Sequence, residues 1–138
     1  MLKFFNAKED LQILVNELEA RRQEENKEVT EAVSKILKET KILLERIIED
    51  NSLDIDDVIS MIFTMTKDLD AVYPAVAVRE LLNISDTPLL NYEEKYIKGS
   101  LEKCIRVMVN VNSDKSKNEV KHIYLNEAKR LRPDIANK

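Results

Sequence analysis

The stretch that decides the fold is CIRVMVNVN, residues 104–112, in which apolar residues alternate strictly with the others. Successive side chains of a β-strand point to opposite faces of a sheet, so this period of two predicts a strand with one buried face. Arg106 lies in the middle of the other face. Because an arginine is almost never buried without a partner, its side chain must face water, a carboxylate or a ligand. The residues predicted to face inward are Ile105, Val107, Val109 and Val111.

Shorter elements precede this strand. Residues 58–66 (VISMIFTMT) are rich in β-branched and apolar residues and too short for a typical helix, so they predict a buried strand. Residues 75–82 predict a short helix that begins beside Pro74, since proline suits a first helical turn. Residues 88–91 are consistent with a second short strand.

The N-terminal half is predicted to be helical. Its first 73 residues contain neither glycine nor proline. Apolar residues from Val29 to Ile48 repeat at helical spacing and predict a helix that covers a sheet and ends near Asn51 and Ser52. The polar residues 19–28 leave two alternatives open, a solvated helix or a mobile joint. A further apolar face upstream is formed by Leu11, Leu14, Val15 and Leu18.

The C-terminal region is ambiguous by pattern. Within residues 118–131, the apolar positions favour a helix slightly, although His122-Ile123-Tyr124-Leu125 is also typical of a strand. With helices first and strands later, the chain as a whole is predicted to be α+β.

Composition excludes several classes of protein. The chain has 138 residues, 43% of them hydrophobic and 35% charged, which is enough for one domain with a core. The formal charge of −4 gives no basic footprint for nucleic acid or an anionic membrane surface. No apolar run approaches the roughly 20 residues of a membrane span. A single cysteine, Cys104, and a single histidine, His122, argue against disulfide scaffolds and zinc modules and favour the cytoplasm.

The chemistry-bearing residues favour a binding site for an anion. One glycine cannot supply a phosphate-binding loop, and Cys104 with His122 makes a poor nucleophilic pair. No metal site is expected, because the acidic residues near position 55 lack the spacing of a calcium loop. Cations and hydrogen-bonding groups at structured positions could instead enclose a small anionic ligand. They are Arg79, Glu94, Arg106, Tyr124 and Arg132.

From Thr40 to Pro133 the chain resembles the monofunctional, trimeric chorismate mutases of the AroH class. The matching blocks are LLERIIEDN (43–51), DLDAVYPA (68–75), AVREL (77–81), KCIRVM (103–108), HIYL (122–125) and LRPD (131–134). The resemblance implies a mixed β-sheet flanked by helices and a homotrimer with active sites between subunits. It also implies that residues 118–131 are largely strand, with Arg106 and Tyr124 on neighbouring strands that point into a cleft.

The resemblance implies rearrangement of chorismate to prephenate, in aromatic amino acid biosynthesis, without a cofactor or a covalent intermediate. Catalysis of this kind requires that the flexible side chain be held over the ring and that donors meet the ether oxygen as it gains negative charge. Arg106 would donate to that oxygen, Glu94 would accept from the ring hydroxyl, and Tyr124 would bind the side-chain carboxylate. Arg79 would hold the ring side or close the site. The other residues expected to bind substrate are Tyr73, Asn91, Leu131 and Arg132.

The N-terminus departs from the family. Its members begin with a strand that carries an Arg-Gly-Ala-Thr-Thr motif and binds substrate through the arginine, whereas residues 1–39 here contain no glycine and predict helix. Arg21 and Arg22 are poor replacements because their context is polar and helical. We therefore expect an atypical helical extension over residues 1–28 and a chorismate mutase-like domain over residues 29–138. The expected function is a chorismate mutase, weakened by the missing arginine; the alternative is a non-catalytic binding or assembly module on the same scaffold.

Overall fold

The structure, a computed structural model, describes residues 7–136. The elements follow the predicted order, with helix first and strands later. They are α1 (Ala7–Asp50), β1 (Val58–Met65), α2 (Val76–Glu80), β2 (Leu89–Glu93), β3 (Ile105–Val111) and α3 (Pro133–Ala136), with 3-10 turns at Ile55–Asp57, Lys117–Glu119 and Asn126–Arg130.

The sheet is mixed, as the resemblance implies. Within the described residues it has three strands in the order β2-β1-β3. The central strand β1 pairs in parallel with β2 and antiparallel with β3. This register places Thr64 between Tyr92 of β2 and Arg106 of β3. The α+β prediction is confirmed.

The two strand predictions from hydrophobic pattern are also confirmed. In β3, Arg106 and Met108 are exposed, while the four aliphatic residues of the opposite face are half-buried. In β1, the inward face alternates from Met61 onwards. One extra residue in β1, Ile59, interrupts its register with β3, since Val58 pairs with Val111 and Ser60 with Asn110. This bulge allows Val58 and Met61 both to face inward.

The core lies on one side of the sheet. Phe63 and Met61 of β1 pack there with Leu44 of α1 and Val78 of α2, each at most 1% exposed. On the opposite side, Leu90, Tyr92 and Met108 are 51%, 54% and 63% exposed. One face of the sheet is therefore covered by helices, and the other is an open, largely apolar surface.

Two compact units divide the chain, the first ending at Ser34 and the second beginning at Lys35. In the first unit the polar stretch 19–28 lies within α1, so the helical alternative for this stretch holds. The apolar face predicted there consists of exposed side chains, between 42% and 61%. These are Leu11, Leu14, Val15 and Leu18. Of the predicted extension (residues 1–28) and the predicted domain (residues 29–138), residues 1–6 and 137–138 lie outside the described residues.

The end of α1 is set by a left-handed residue. Ser52 has a φ of 49°, its N–H donates to Glu49 O at 3.1 Å, and the N–H of Leu53 donates to Ile48 O at 2.9 Å. These two bonds form a Schellman motif, which closes the helix through backbone groups. The predicted stop at residues 51–52 is correct, but Ser52 rather than Asn51 takes the left-handed conformation.

Both predictions for residues 118–131 are wrong. The described chain has neither the helix that the pattern favours nor the strand that the resemblance implies. The backbone is extended at Val120 and Leu125, and Asn126 has a φ of 52°, which neither a strand nor an α-helix accommodates. Tyr124 is thus not on a strand beside Arg106.

Candidate functional site

The site is built around one carboxylate. Glu94 directly follows β2, and its backbone N–H donates to Met65 O at 2.8 Å, which continues the parallel pairing with β1. Its Oε1 atom lies 3.1 Å from Arg106 Nε, and the same atom accepts a hydrogen bond from Thr64 Oγ1 at 2.5 Å. One residue from each strand region therefore meets at a single oxygen atom.

The side chains of Glu94 and Arg106 differ in their exposure to solvent. The side chain of Glu94 is 20% exposed, whereas that of Arg106 is 59% exposed. Glu94 accepts through Oε1, and the ion pair holds the guanidinium by its Nε–H, so the exposed end of Arg106 faces the open side of the sheet. Beside it is an open depression with a volume of about 340 Å³. It is lined by Ile62, Thr64, Arg106, Val107 and Met108.

Cys104 lies next to the pair of Glu94 and Arg106, and its environment makes the thiol a poor nucleophile. Burial raises the pKa of its thiol, and the hydrogen bond and positive charge of Arg106 act in the opposite direction. A buried thiol with a raised pKa is mostly protonated near neutral pH and is a poor nucleophile. The sequence-based prediction that Cys104 and His122 make a poor nucleophilic pair agrees with this environment.

Side-chain hydrogen bonds hold the two residues that precede β3. The carboxylate of Asp68 accepts from Thr66 Oγ1 and from the backbone N–H of Lys103, and the Thr66 hydroxyl in turn accepts from the N–H of Cys104 at 3.0 Å. The hydrogen bond from Thr66 is the largest influence on the pKa of Asp68 and lowers it; burial opposes this shift, and the hydrogen bond from the Lys103 backbone lowers the pKa further. Arg106 therefore follows two residues, Lys103 and Cys104, whose backbone N–H groups are held by side-chain hydrogen bonds.

Asn91 and Tyr73 form a second group. Asn91 of β2 accepts, through Oδ1, a hydrogen bond of 3.2 Å from the N–H of Ala75. This bond connects β2 to the start of α2, two residues beyond Tyr73. Tyr73 is 64% exposed. Arg79 is exposed in the last turn of α2.

Tyr124, Leu131 and Arg132 form a third group in the C-terminal region. Tyr124 is half-buried and Leu131 is 39% exposed. Arg132 makes a two-pronged contact with Asp134, with Nε–Oδ1 and Nη2–Oδ2 distances of 3.0 and 2.8 Å. This contact raises the pKa of Arg132 and lowers that of Asp134. The charge of Arg132 is thus already matched by a carboxylate.

Of the eight predicted site residues, the structure brings Glu94 and Arg106 into direct contact. Between residues 7 and 136, no hydrogen bond or ion pair of one chain joins this pair to the group of Asn91 or to that of Tyr124. The described part of the chain also contains no group of three or more His, Cys, Asp or Glu side chains that could hold a metal ion. None of its helices is both long and apolar enough to cross a membrane.

Thr64 was missed by sequence reasoning. It stands inside the apolar run 58–66 and counts there only as a β-branched strand residue. The signal for Thr64 is its position, because its hydroxyl lies on the outward face of β1 opposite Arg106. That signal requires the register between the strands, which the sequence does not provide.

Comparisons with known proteins agree on one family. The family model for chorismate mutase type I matches residues 23–135. The chain is 45% identical over 101 residues to chorismate mutase AroH of Bacillus subtilis, covering 73% of this chain and 80% of that protein. It is 39% identical over 97 residues to chorismate mutase AroH of Thermus thermophilus, covering 70% and 79%. A solved chorismate mutase from Clostridium thermocellum superposes with a TM-score of 0.67 at 53% identity, covering 69% of this chain and 84% of that one.

Proposed function

The chain belongs to the type I chorismate mutase family, and from that premise we propose that Arg106 and Glu94 form the centre of the site at which it rearranges chorismate to prephenate. The enzyme is an isomerase, and the observation that carries the residue assignment is the contact of 3.1 Å between these two side chains on the open face of the sheet. Family membership favours this enzyme over the binding or assembly module.

Arg106 supplies the charge that the reaction needs. As the ether bond breaks, its oxygen gains negative charge, and a guanidinium placed there beforehand stabilises the transition state more than the ground state. Glu94 holds the Nε–H side, so the exposed Nη groups are directed towards the ligand. The guanidinium needs no reorganisation at the moment of reaction.

Glu94 has a second task. A carboxylate can accept several hydrogen bonds, so Glu94 binds the ring hydroxyl of the substrate while it keeps its contact with Arg106. Asn91 binds the same region: its Oδ1 is engaged by Ala75, and its Nδ2 is the donor for the hydroxyl.

The remaining contacts come from the other two groups. Tyr124 binds the side-chain carboxylate, and Arg79 binds the ring side, while Tyr73 and Leu131 provide aromatic and apolar walls. Arg132 binds substrate only if it exchanges its contact with Asp134 for a substrate carboxylate. In this proposal, assembly of a homotrimer brings the three groups into one site.

Assembly is supported by the open face of the sheet. Exposed apolar patches of this kind mark interaction surfaces, and Leu90, Tyr92 and Met108 lie together on this one. We place the trimer in the cytoplasm, where its free, buried Cys104 stays reduced. Residues 1–28 are proposed as an extension to the chorismate mutase-like domain of residues 29–138.

The enzyme is proposed to be weakened relative to its family. Loss of one charge-assisted contact made in the transition state costs about 3–4 kcal/mol, or on the order of a hundredfold or more in rate. The position of the missing arginine strand is occupied in sequence by α1, where Arg21 and Arg22 are exposed.

The test is a chorismate-disappearance assay on the full-length protein. Arg106→Ala is expected to remove turnover while circular dichroism and the oligomeric state stay unchanged. Arg46→Ala is the matched control, because Arg46 also pairs with a carboxylate, that of Asp50 at 3.2 Å, but on the surface of α1. Absence of turnover above background in the parent protein at high enzyme concentration would refute the proposal.

A further inference from the structure

We propose that Asn51 is a positioning residue that holds the C-terminal segment, defined as residues 120–132, where Tyr124 can contribute to the site. The inference rests on the proposed function, because it assigns Tyr124 to substrate binding. It concerns a residue at the far end of α1 that makes no contact with Glu94 or Arg106 among the described side chains.

The Asn51 side chain makes the hydrogen bonds to Lys121 that a neighbouring strand would otherwise make. Oδ1 of Asn51 accepts from the backbone N–H of Lys121 at 2.7 Å, and Nδ2 donates to the backbone carbonyl of the same residue at 2.9 Å. A paired strand residue makes this same exchange of N–H and C=O bonds. Both backbone groups of Lys121 are therefore satisfied without a ladder.

The amide is fixed in this orientation. Nδ2 also donates to Ile47 O at 3.0 Å, and Asn51 is only 5% exposed. Because the Schellman motif at Ser52 closes α1 with backbone groups, the Asn51 side chain is free to bind a distant segment. Lys115 Nζ adds a contact to the Asn51 carbonyl.

Tyr124 lies three residues beyond this fixed point. At about 3.3 Å per residue, an extended chain places it within about 10 Å of the Asn51 contact. Among the described residues, the other side-chain hydrogen bond between this segment and α1 is from Asn126 Nδ2 to Glu39 at 3.4 Å, which is long and exposed. Asn51 thus makes the buried polar contact on which the position of Tyr124 depends.

The chemistry requires an amide at position 51. Aspartate has the same shape and keeps the acceptor for the Lys121 N–H, but it has no donor for the two carbonyls. It would also place a carboxylate against carbonyl oxygens at the negative end of α1. Asn51→Asp is therefore the sharpest variant, since it changes the donor and leaves the volume nearly constant.

The first measurement is backbone amide exchange, which does not depend on turnover. In Asn51→Asp we expect the Lys121 amide to exchange at least about tenfold faster, while amides of β1 such as Phe63 keep their protection, because only the local contact is lost. Unchanged exchange at Lys121 would overturn the inference. If the parent protein does not turn over chorismate, the proposed function fails, and this measurement still decides whether Asn51 holds the segment.

The second measurement separates positioning from folding. The substrate carboxylate that Tyr124 binds is present in both ground and transition states, so misplacing Tyr124 raises KM by about tenfold and changes kcat little. A variant that only unfolds more readily would lower the amount of active enzyme and leave KM unchanged. An unchanged KM in folded Asn51→Asp would contradict the positioning role.

A double-variant cycle with Tyr124→Phe completes the test. If Asn51 acts through Tyr124, the double variant has a KM close to that of Tyr124→Phe alone, whereas independent effects multiply. Multiplying effects would overturn the inference.

A second route applies if Asn51→Asp does not fold. Lys121→Pro removes the N–H that Asn51 accepts, and Val120, with φ −78° and ψ 128°, already has a backbone compatible with a following proline. Its matched control is Lys121→Ala, which loses the same side chain and keeps the N–H. We expect a raised KM in the proline variant only; equal KM values in the two variants would refute the role of this bond.

Discussion

Thr64 and Arg106 are partners across β1 and β3, and their side chains donate to the same oxygen atom of Glu94, at 2.5 and 3.1 Å. The relationship follows from the sheet order, because β1 lies between the strand that leads to the acid and the strand that carries the cation. Glu94 and Arg106 meet over the central strand, and Thr64 fills the position between them.

Removing the Thr64 hydroxyl is expected to lower kcat/KM by about tenfold, because a hydrogen bond to a charged group contributes about 1.5–3 kcal/mol and this one is half-buried. Thr64→Val keeps the β-branched shape of the strand residue, and Thr64→Ser keeps the donor. Steady-state kinetics on both variants check the prediction. An equal loss in Thr64→Ser would show that the methyl group, rather than the hydroxyl, matters.

Asp68 is expected to make folding stability depend on acid. Its pKa is lowered in the folded protein, chiefly by the Thr66 hydroxyl, so the ionised form stabilises the fold above its ordinary pKa of about 3.8 and this contribution is lost as pH falls through the folded value. The difference in unfolding free energy between the parent and Asp68→Asn should therefore be largest near neutral pH and shrink on acidification. We expect it to stay below about 1 kcal/mol, since the exposed carboxylate is screened by solvent.

Urea denaturation of both proteins across this pH range measures the effect. Asp70→Asn is a control for the removal of one acidic charge from the same loop. A gap that widens towards low pH would contradict the assignment of the depressed pKa.

Cys104 is expected to react slowly with thiol reagents in the folded protein. It is 4% exposed, and burial raises the pKa of its thiol, so little thiolate is accessible at neutral pH. Since it is the one cysteine in the sequence, a colorimetric thiol titration is unambiguous. We expect rapid labelling in urea and at least about a tenfold slower rate without it; equal rates would mean that the thiol is accessible in the fold.

Leu44 is expected to be a major contributor to stability. It is fully buried against β1 and α2, and truncating a buried leucine to alanine costs about 2–5 kcal/mol. Val29→Ala is the matched control on the same helix, because Val29 is 55% exposed and alanine favours helix. Chemical denaturation should show a large loss for Leu44→Ala and a change of less than about 0.5 kcal/mol for the control.

The parts of the fold that follow from local periodicity were predictable from sequence. The alternation in residues 104–112 fixed both faces of β3 and marked Arg106 as a residue that needs a partner. The apolar run 58–66 indicated β1, although it could not reveal the bulge at Ile59, which depends on the register with β3.

The backbone conformation of the C-terminal segment could not be predicted from local periodicity. Its backbone at Lys121 is satisfied by a side chain 70 positions earlier, so no local pattern could distinguish helix, strand and irregular chain. The site was predictable as far as the resemblance reached. Thr64 lay outside it because its role depends on which residues stand on either side in the assembled sheet.

The extra residue in β1 bears on how the chain tolerates changes of length. Deleting Ile59 would restore a regular ladder and leave Val58 on the inward face with Met61, whereas deleting one residue within β3 would exchange the guanidinium of Arg106 with a neighbouring aliphatic group. Loss of one residue is thus tolerated at Ile59 of β1, but within β3 it removes the Arg106 charge from the site and abolishes the reaction. Insertions between residues 95 and 103, which join β2 to β3, would leave that parity intact.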